Sequence, residues 1–257
     1  MKRTSLLMLM LVVAAALAAP ALATTAASGI SADEALRLLK EGNARYVDGK
    51  LQHPHQDGAR RALTAAQGQH PLAAVLTCSD SRVPAEIIFD QGIGDIFVIR
   101  VAGNVAATDE IGSIEYAVDH LGAPVVVVLG HTQCGPVSAL VDDAKLPPNL
   151  ANLVAPIKPA VDKAREANPQ AAKDELLKAA ITGNVWQAVE DMLRLSPILR
   201  EKVRDGQAQV VGALYDLDSG QVQWLGPHPD QEKLVGGKKG TTGKSGKKAK
   251  KSKKSEG

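Results

Sequence analysis

Two β-branched apolar runs in this chain end in short polar motifs that each hold a cysteine. Leu72-Ala73-Ala74-Val75-Leu76 leads into Cys78-Ser79-Asp80-Ser81-Arg82, and Val125-Val126-Val127-Val128-Leu129 leads into His131-Thr132-Gln133-Cys134-Gly135. An apolar run that does not alternate has both faces buried, as a strand inside a parallel sheet covered on both sides does. A third run, Asp95 to Val101, ends at Ala102-Gly103-Asn104. Helical patterns separate the three: a short one from Val83 with Pro84 in its first turn, and one over 108–121 stopped by Gly122. Strand–helix–strand–helix–strand predicts a central, mostly parallel, right-handed β-sheet flanked by helices.

The remaining pattern fits around that sheet. Ser31 to Tyr46 reads as a first helix, with Ser31 and Glu34 as a capping box and Gly42 weakening its middle. His53 to Ala59 reads as polar loop. Leu150 to Ala167 and Ala171 to Leu195 show helical spacing, and Ile198 to Asp205 resumes it after Pro197. Gln209–Tyr215 and Gln221–Trp224, joined by the turn Asp216-Leu217-Asp218-Ser219-Gly220, predict a C-terminal hairpin that adds an antiparallel strand to the sheet.

Both ends differ from the middle. Lys2-Arg3, the apolar stretch Leu6 to Ala19, and Ala21-Leu22-Ala23 form the three regions of a secretory signal, so residues 1–23 are expected to direct export to the periplasm and to be removed. Residues 24–235 form the folded domain. Residues 236–257 hold nine lysines against one acid, with no periodicity, and are expected to be a disordered tail. The net charge of +2 hides a core of 19 basic and 27 acidic residues carrying this cationic tail. An acidic, exported core argues against nucleic-acid binding. The tail suits weak contact with anionic surfaces, or serves as a solubilising extension. No stretch beyond the signal is long and apolar enough for a transmembrane span.

The two motifs carry the chemistry. Two thiolates and one imidazole at strand ends are a zinc donor set, and three protein ligands leave a fourth position for water or a carboxylate. His131 and Cys134, one helical turn apart, are expected to face one metal, with Cys78 arriving from a neighbouring strand end. Asp80 lies within reach of the metal or its water, and Arg82 can hold it by paired hydrogen bonds. An oxidising compartment also permits a Cys78–Cys134 disulfide. A lone staple adds little to a core of this size and leaves Asp80, Arg82 and His131 unexplained, so zinc is the reading adopted. Two thiolates offset the charge of zinc, so a water at such a site is acidified less than at a three-histidine site, and activity is expected to rise through the alkaline range.

At these residues the chain resembles the β-class carbonic anhydrases of the exported bacterial type. The match is Cys78-Ser-Asp80-Ser-Arg82 followed by His131-x-x-Cys134-Gly. Milder similarity runs through Gly42-Asn43-x-Arg45-Tyr46, Gly94-Asp95-Ile-Phe97-Val-Ile-Arg100, Ile114-Glu115-Tyr116 and Val210 to Gly220. The resemblance implies a zinc lyase, with one Zn2+ per chain, interconverting carbon dioxide and bicarbonate. It also implies a homodimer or higher homo-oligomer with active sites at the subunit interface. It makes Asp80 and Arg82 catalytic, with Asp80 able to act as a fourth metal ligand beside Cys78, His131 and Cys134 when its pair with Arg82 breaks. Gln69 matches the family's substrate-binding glutamine, Phe97 and Tyr116 its carbon dioxide pocket, and Gly103 the tight loop after the strand. By residue type alone, Phe97 and Tyr116 read as core and Gln69 as loop. Val101 and Ile93 depart from the commoner family residues. Val75 stands where one branch carries the tryptophan of a non-catalytic bicarbonate site. His120 reads as a helix-end surface histidine before it reads as a proton relay.

Three other readings stay open. Carbonyl sulfide or carbon disulfide hydrolysis would use the same ligands. A non-enzymatic exported zinc protein would have Asp80 locked on the metal, against the intact Arg82 and Gln69. A periplasmic thiol protein lacks the Cys-x-x-Cys spacing.

Overall fold

A computed structural model describes residues 29–236. The expected signal, 1–23, and the tail beyond Gly236 lie outside the described residues. Five strands form one sheet: β1 (Ala73–Thr77), β2 (Ile96–Arg100), β3 (Val125–His131), β4 (Gln209–Tyr215) and β5 (Val222–Gly226), in the spatial order β2-β1-β3-β4-β5. The first three pairings are parallel, and β5 closes the sheet antiparallel to β4, as the hairpin pattern predicts.

Both faces are covered, which is why the central strands are apolar along most of their length. Ala74, Leu76, Val126 and Val128 face one side, where they meet Ile111 and Ile114 of α4 (Thr108–Glu115) and Val185, Val189 and Met192 of α8 (Lys173–Leu195). Val75, Val125, Val127 and Leu129 face the other, against Ala35 and Leu39 of α1 (Ala32–Val47) and Ile88 of α3 (Ala85–Ile88). Ser31 caps α1 through its Oγ, which accepts from the Glu34 N–H at 3.2 Å. Only half of the expected capping box forms, because the Glu34 carboxylate is taken by Arg37.

Gly42 does more than weaken α1. A Cβ there would lie 1.8 Å from the Phe89 carbonyl oxygen, so the helix reaches its place over α3 only with no side chain at this position. Gly42→Ala is expected to cost about 3 kcal/mol or more, because backbone rather than a flexible side chain must move. A urea melt showing less than about 1 kcal/mol of destabilisation would contradict this close approach.

Several elements differ from the sequence expectation. The helix α2 (Gly58–Gln67) fills a stretch read partly as loop; Asp57 caps it, and its small, mostly alanine apolar side buries no residue in the protomer. The helical stretch 150–167 divides into α6 (Pro148–Val154), a 3₁₀ turn (Ala155–Ile157) and α7 (Lys158–Ala167), since Pro156 and Pro159 deny it hydrogen bonds. The helix over 108–121 ends as a π turn, Tyr116–His120, on which Tyr116 stands 48% exposed. His131 and Cys134 share no helix. His131 is the last residue of β3 and Cys134 the N-cap of α5 (Gly135–Val141), with Gln133 between them at φ 55°. Among the described residues no helix is long and apolar enough to cross a membrane.

Candidate functional site

The carboxyl ends of β1 and β3 are neighbours, because these strands pair directly: Thr77 lies opposite Leu129. Cys78 follows β1 at once, and His131 closes β3. Cys134 arrives from the tight turn that follows. The two Sγ atoms and a ring nitrogen of His131 all lie within 4.8 Å of one another. All three side chains are buried, with apolar walls from Val105, Val137 and Ile157.

His131 shows what this arrangement lacks. Its Nδ1 lies 2.8 Å from the Thr132 carbonyl, which can only accept, so Nδ1 carries the hydrogen and Nε2 the lone pair. That Nε2 is buried with no hydrogen-bond partner. A buried acceptor left unpaired costs about 1–3 kcal/mol. A cation held jointly with the two thiols removes that cost, and sulfur–nitrogen donors suit zinc. The site therefore fits the metal.

The thiols are prepared for it. Cys78 is held well below the usual thiol range, first by a hydrogen bond from the Cys134 thiol and then, against the opposing effect of burial, by the Gly103 N–H. Cys134 keeps the shared proton and is pushed up by the Cys78 thiolate and by burial. Both cysteines are free thiols here. The Gly103 N–H donates to Cys78 Sγ at 3.3 Å. Gly103 is held at φ 81°, a backbone conformation that favours glycine, and a Cβ there would push on Ile157 Cδ1 at 2.5 Å.

Asp80 and Arg82 form a closed unit beside the ligands. Arg82 donates to Asp80 Oδ1 from its backbone N–H at 2.9 Å and from Nε at 3.0 Å, and to Oδ2 from Nη2 at 2.8 Å. This guanidinium holds the Asp80 carboxyl well below the usual carboxylate range. Asp80 Oδ2 lies 3.9 Å from His131 Nε2, outside the three-ligand group and next to it.

Two supporting residues escaped the sequence reading. Arg100, the last residue of β2, donates to the Cys78 carbonyl at 3.2 Å and to the Asp80 carbonyl at 2.5 Å, and so pins the loop that carries both side chains. Asn184 of α8 donates to the Gly103 carbonyl at 2.7 Å. Arg100 lies inside a stretch matched to the family, which was its only signal. Asn184, within the pattern of a long helix, had none.

The other expected site residues lie elsewhere in the protomer. Gln69 precedes β1, so it stands at the opposite edge of the sheet from Cys78; the five residues of β1 alone span roughly 17 Å. Phe97 pairs with Ala74, three positions back from the strand end at Arg100, and its ring centroid is 6.0 Å from that of Tyr116. Tyr116 in turn stacks at 5.1 Å on His120. One chain thus brings together Cys78, Asp80, Arg82, Gly103, His131 and Cys134, and leaves Gln69, Phe97 and Tyr116 apart from them.

Known proteins resemble this chain in sequence and in fold. The family model for carbonic anhydrase matches residues 73–222, which hold every residue of the cluster. Carbonic anhydrase 2 of Mycobacterium tuberculosis is 42% identical over 191 residues, 73% of this chain and 89% of that protein. The carbonic anhydrase of Mycolicibacterium smegmatis is 39% identical over 193 residues, 74% of this chain and 91% of that protein. Among solved structures, the β-carbonic anhydrase CafA of Aspergillus fumigatus superposes with a TM-score of 0.62 at 28% identity, covering 79% of this chain and 94% of that one. A chain from the tetrameric β-carbonic anhydrases of Sordaria macrospora gives 0.59 at 27% identity, over 76% and 98%. A match across the whole sheet, at this identity and over nearly the full length of these relatives, places the chain in the β-class carbonic anhydrase family.

Proposed function

We propose that this protein hydrates carbon dioxide reversibly to bicarbonate and a proton, with one zinc held by Cys78, His131 and Cys134. The observation that carries the reading is the unpartnered, buried His131 Nε2 set between two buried thiols, with the Asp80–Arg82 pair beside it. When bound, zinc supplies the Lewis acidity that makes a water nucleophilic near neutral pH. The chain's own residues do the rest. The Thr132 carbonyl fixes the tautomer that exposes the Nε2 lone pair, and the Gly103 N–H favours the Cys78 thiolate. Asp80, ionised and acceptor-only, accepts a hydrogen bond from the attacking water and so turns the oxygen lone pair toward carbon dioxide. Arg82 keeps that carboxylate out of the ligand set.

Gln69, Phe97 and Tyr116 act in this reading across a subunit boundary. The protein is a homodimer or higher homo-oligomer in which the amino edge of one protomer's sheet faces the metal centre of its partner. Support comes from the position of Gln69 a strand length from its own metal centre, and from the tetrameric relatives. Gln69 then donates its amide to a bicarbonate oxygen, and the Phe97–Tyr116 pair walls the carbon dioxide pocket.

Export rests on residues 1–23, and the Lys-rich tail is read as an anionic-surface contact outside the enzyme. Deleting residues 236–257 is expected to leave the hydration rate unchanged and to weaken retention on anionic vesicles, most clearly at low salt. A severalfold fall in rate at equal zinc content would make the tail part of the enzyme. The test of the main reading is stopped-flow hydration of carbon dioxide by zinc-loaded protein lacking residues 1–23, from about pH 6.5 to about pH 9. Catalysis that disappears on chelation is expected. Full zinc content with no catalysis would overturn it.

A further inference from the structure

Each hydration releases a proton, and the amino edge of the sheet holds a second group of titratable side chains. Asp95 stands just before β2, its side chain 7% exposed. Its Oδ1 accepts from Arg60 Nη2 at 2.9 Å and its Oδ2 from the Gly92 N–H at 2.9 Å. His55 Nδ1 lies 2.8 and 2.7 Å from these two oxygens. A carboxylate accepts and does not donate, so Nδ1 carries the hydrogen and the neutral ring presents its lone pair at Nε2. The His55 side chain is 54% exposed.

The loop carrying His55 is held in an uncommon shape. His53 and His55 both have left-handed backbones, φ 50° and 54°. The buried Asp90 accepts from the Gln52 and His53 N–H groups at 3.0 and 2.9 Å and from Arg45, and the Ile93 N–H donates to the His55 carbonyl at 3.0 Å. Left-handed residues held by several independent contacts are concentrated at working sites. Gln69 belongs to the same patch: a Cβ built on Gly94 lies 3.5 Å from Arg60 Nη2 and 3.8 Å from Gln69 Cβ. His55, Asp95, Arg60 and Gln69 therefore gather around one point.

We propose that His55 accepts the proton released in the partner's active site, the same site that Gln69 serves. This rests on the reading above that Gln69 crosses the subunit boundary. Between turnovers, before its oxygen bonds to the next carbon dioxide, the attacking water must lose a proton, and its O–H bond breaks. The proton passes, directly or through one water, to His55 Nε2. Asp95 holds the ring in place through Nδ1–H, while Arg60 shares the same carboxylate. The Nε2–H then hands the proton to buffer. Imidazole is the side chain suited to both steps near neutral pH.

His55→Asn tests this, because asparagine tolerates the left-handed backbone and still donates to Asp95 but carries no proton. In low buffer kcat is expected to fall about tenfold or more, with kcat/KM held within about twofold, and added imidazole is expected to restore kcat. An unchanged kcat in low buffer, or kcat and kcat/KM falling together, would overturn the role. His55→Gly gives the same readout if the asparagine variant is unstable. His70→Asn, next to Gln69 and without a carboxylate partner, is the control and is expected to leave kcat unchanged; a fall there with none at His55 would assign the proton to His70. In hybrids of Cys78→Ser and His55→Asn chains, the one zinc-bearing site faces an intact His55 and recovers kcat; failure to recover would place the transfer within one protomer. Gln69→Ala separates the two layers. If it leaves kcat/KM untouched, the subunit-crossing reading itself fails; if it lowers kcat/KM while His55→Asn changes nothing, only the proton role fails.

Discussion

Replacing His131 with alanine is expected to abolish stoichiometric zinc binding and to lower the melting temperature by about 8–16 °C relative to the zinc-loaded protein. The size follows from linkage. A metal present at about a thousand times its dissociation constant stabilises the folded chain by about 4 kcal/mol. Each kcal/mol moves the midpoint of a domain this long by about 2–4 °C. His131 is the sharpest place to remove the metal, because its Nε2 has no second role: it is buried and no other group bonds it. Alanine removes an unpaired acceptor together with a ligand, so the loss reports metal more than packing. The control is the wild-type protein treated with a chelator, which should melt near the variant, while the variant itself should not respond to the chelator. Full zinc content in the variant would show that the cluster is not the metal site. Mass mapping that found a Cys78–Cys134 disulfide in protein without zinc would favour the redox reading of the two cysteines over the metal one.

Arg82→Ala should keep zinc and lose at least about tenfold in kcat/KM, since positioning and proton-transfer contributions commonly run from about a hundredfold upward. Two effects are separable here. One is charge. Arg82 holds the Asp80 carboxyl well below the usual carboxylate range, chiefly through the side-chain hydrogen bonds. Because the folded value is the lower one, this contribution to stability is complete above the ordinary aspartate pKa of about 4 and fades as pH falls below it. Losing Arg82 raises the pKa toward that ordinary value, and Asp80 is still ionised at neutral pH. Charge therefore cannot account for a loss at pH 7. The other effect is position. With both oxygens released, a carboxylate already 3.9 Å from His131 Nε2 is free to join the ligand set and take the place of water. Arg82→Lys separates the two further: it keeps the cation but not the paired geometry, and should recover little activity. A zinc-replete Arg82→Ala enzyme with an undiminished rate would remove Asp80 orientation from the mechanism.

The parallel sheet was legible because burial on both faces forces an unbroken apolar run, which Val125 to Leu129 displays without help from any neighbour. Cys78, His131, Cys134, Asp80 and Arg82 were legible for a related reason. Zinc chemistry demands particular atoms, and strand ends are the places where a parallel sheet can present them. The helix α2 was not read, although its residues have helical periodicity, because its apolar side is mostly alanine and buries no residue in the protomer. The division of 150–167 was written in Pro156 and Pro159, yet the surrounding pattern of helical spacing outweighed it.

How the ligands meet was decided by the tertiary structure. Spacing suggested one helical turn between His131 and Cys134; the fold uses a strand end, a left-handed Gln133 and a helix cap to bring them together. The hold of Arg100 on the Cys78–Asp80 loop depends on β2 lying beside β1, a pairing that no local pattern states. The sheet likewise sets Gln69 at the edge opposite the metal ligands, although both flank the same short strand. Residue type and strand burial are local consequences of the sequence, and they determined the donor set and the kind of sheet. Which atoms face one another depends on strand order and on turns closed by distant contacts, and those exist only once the chain has packed.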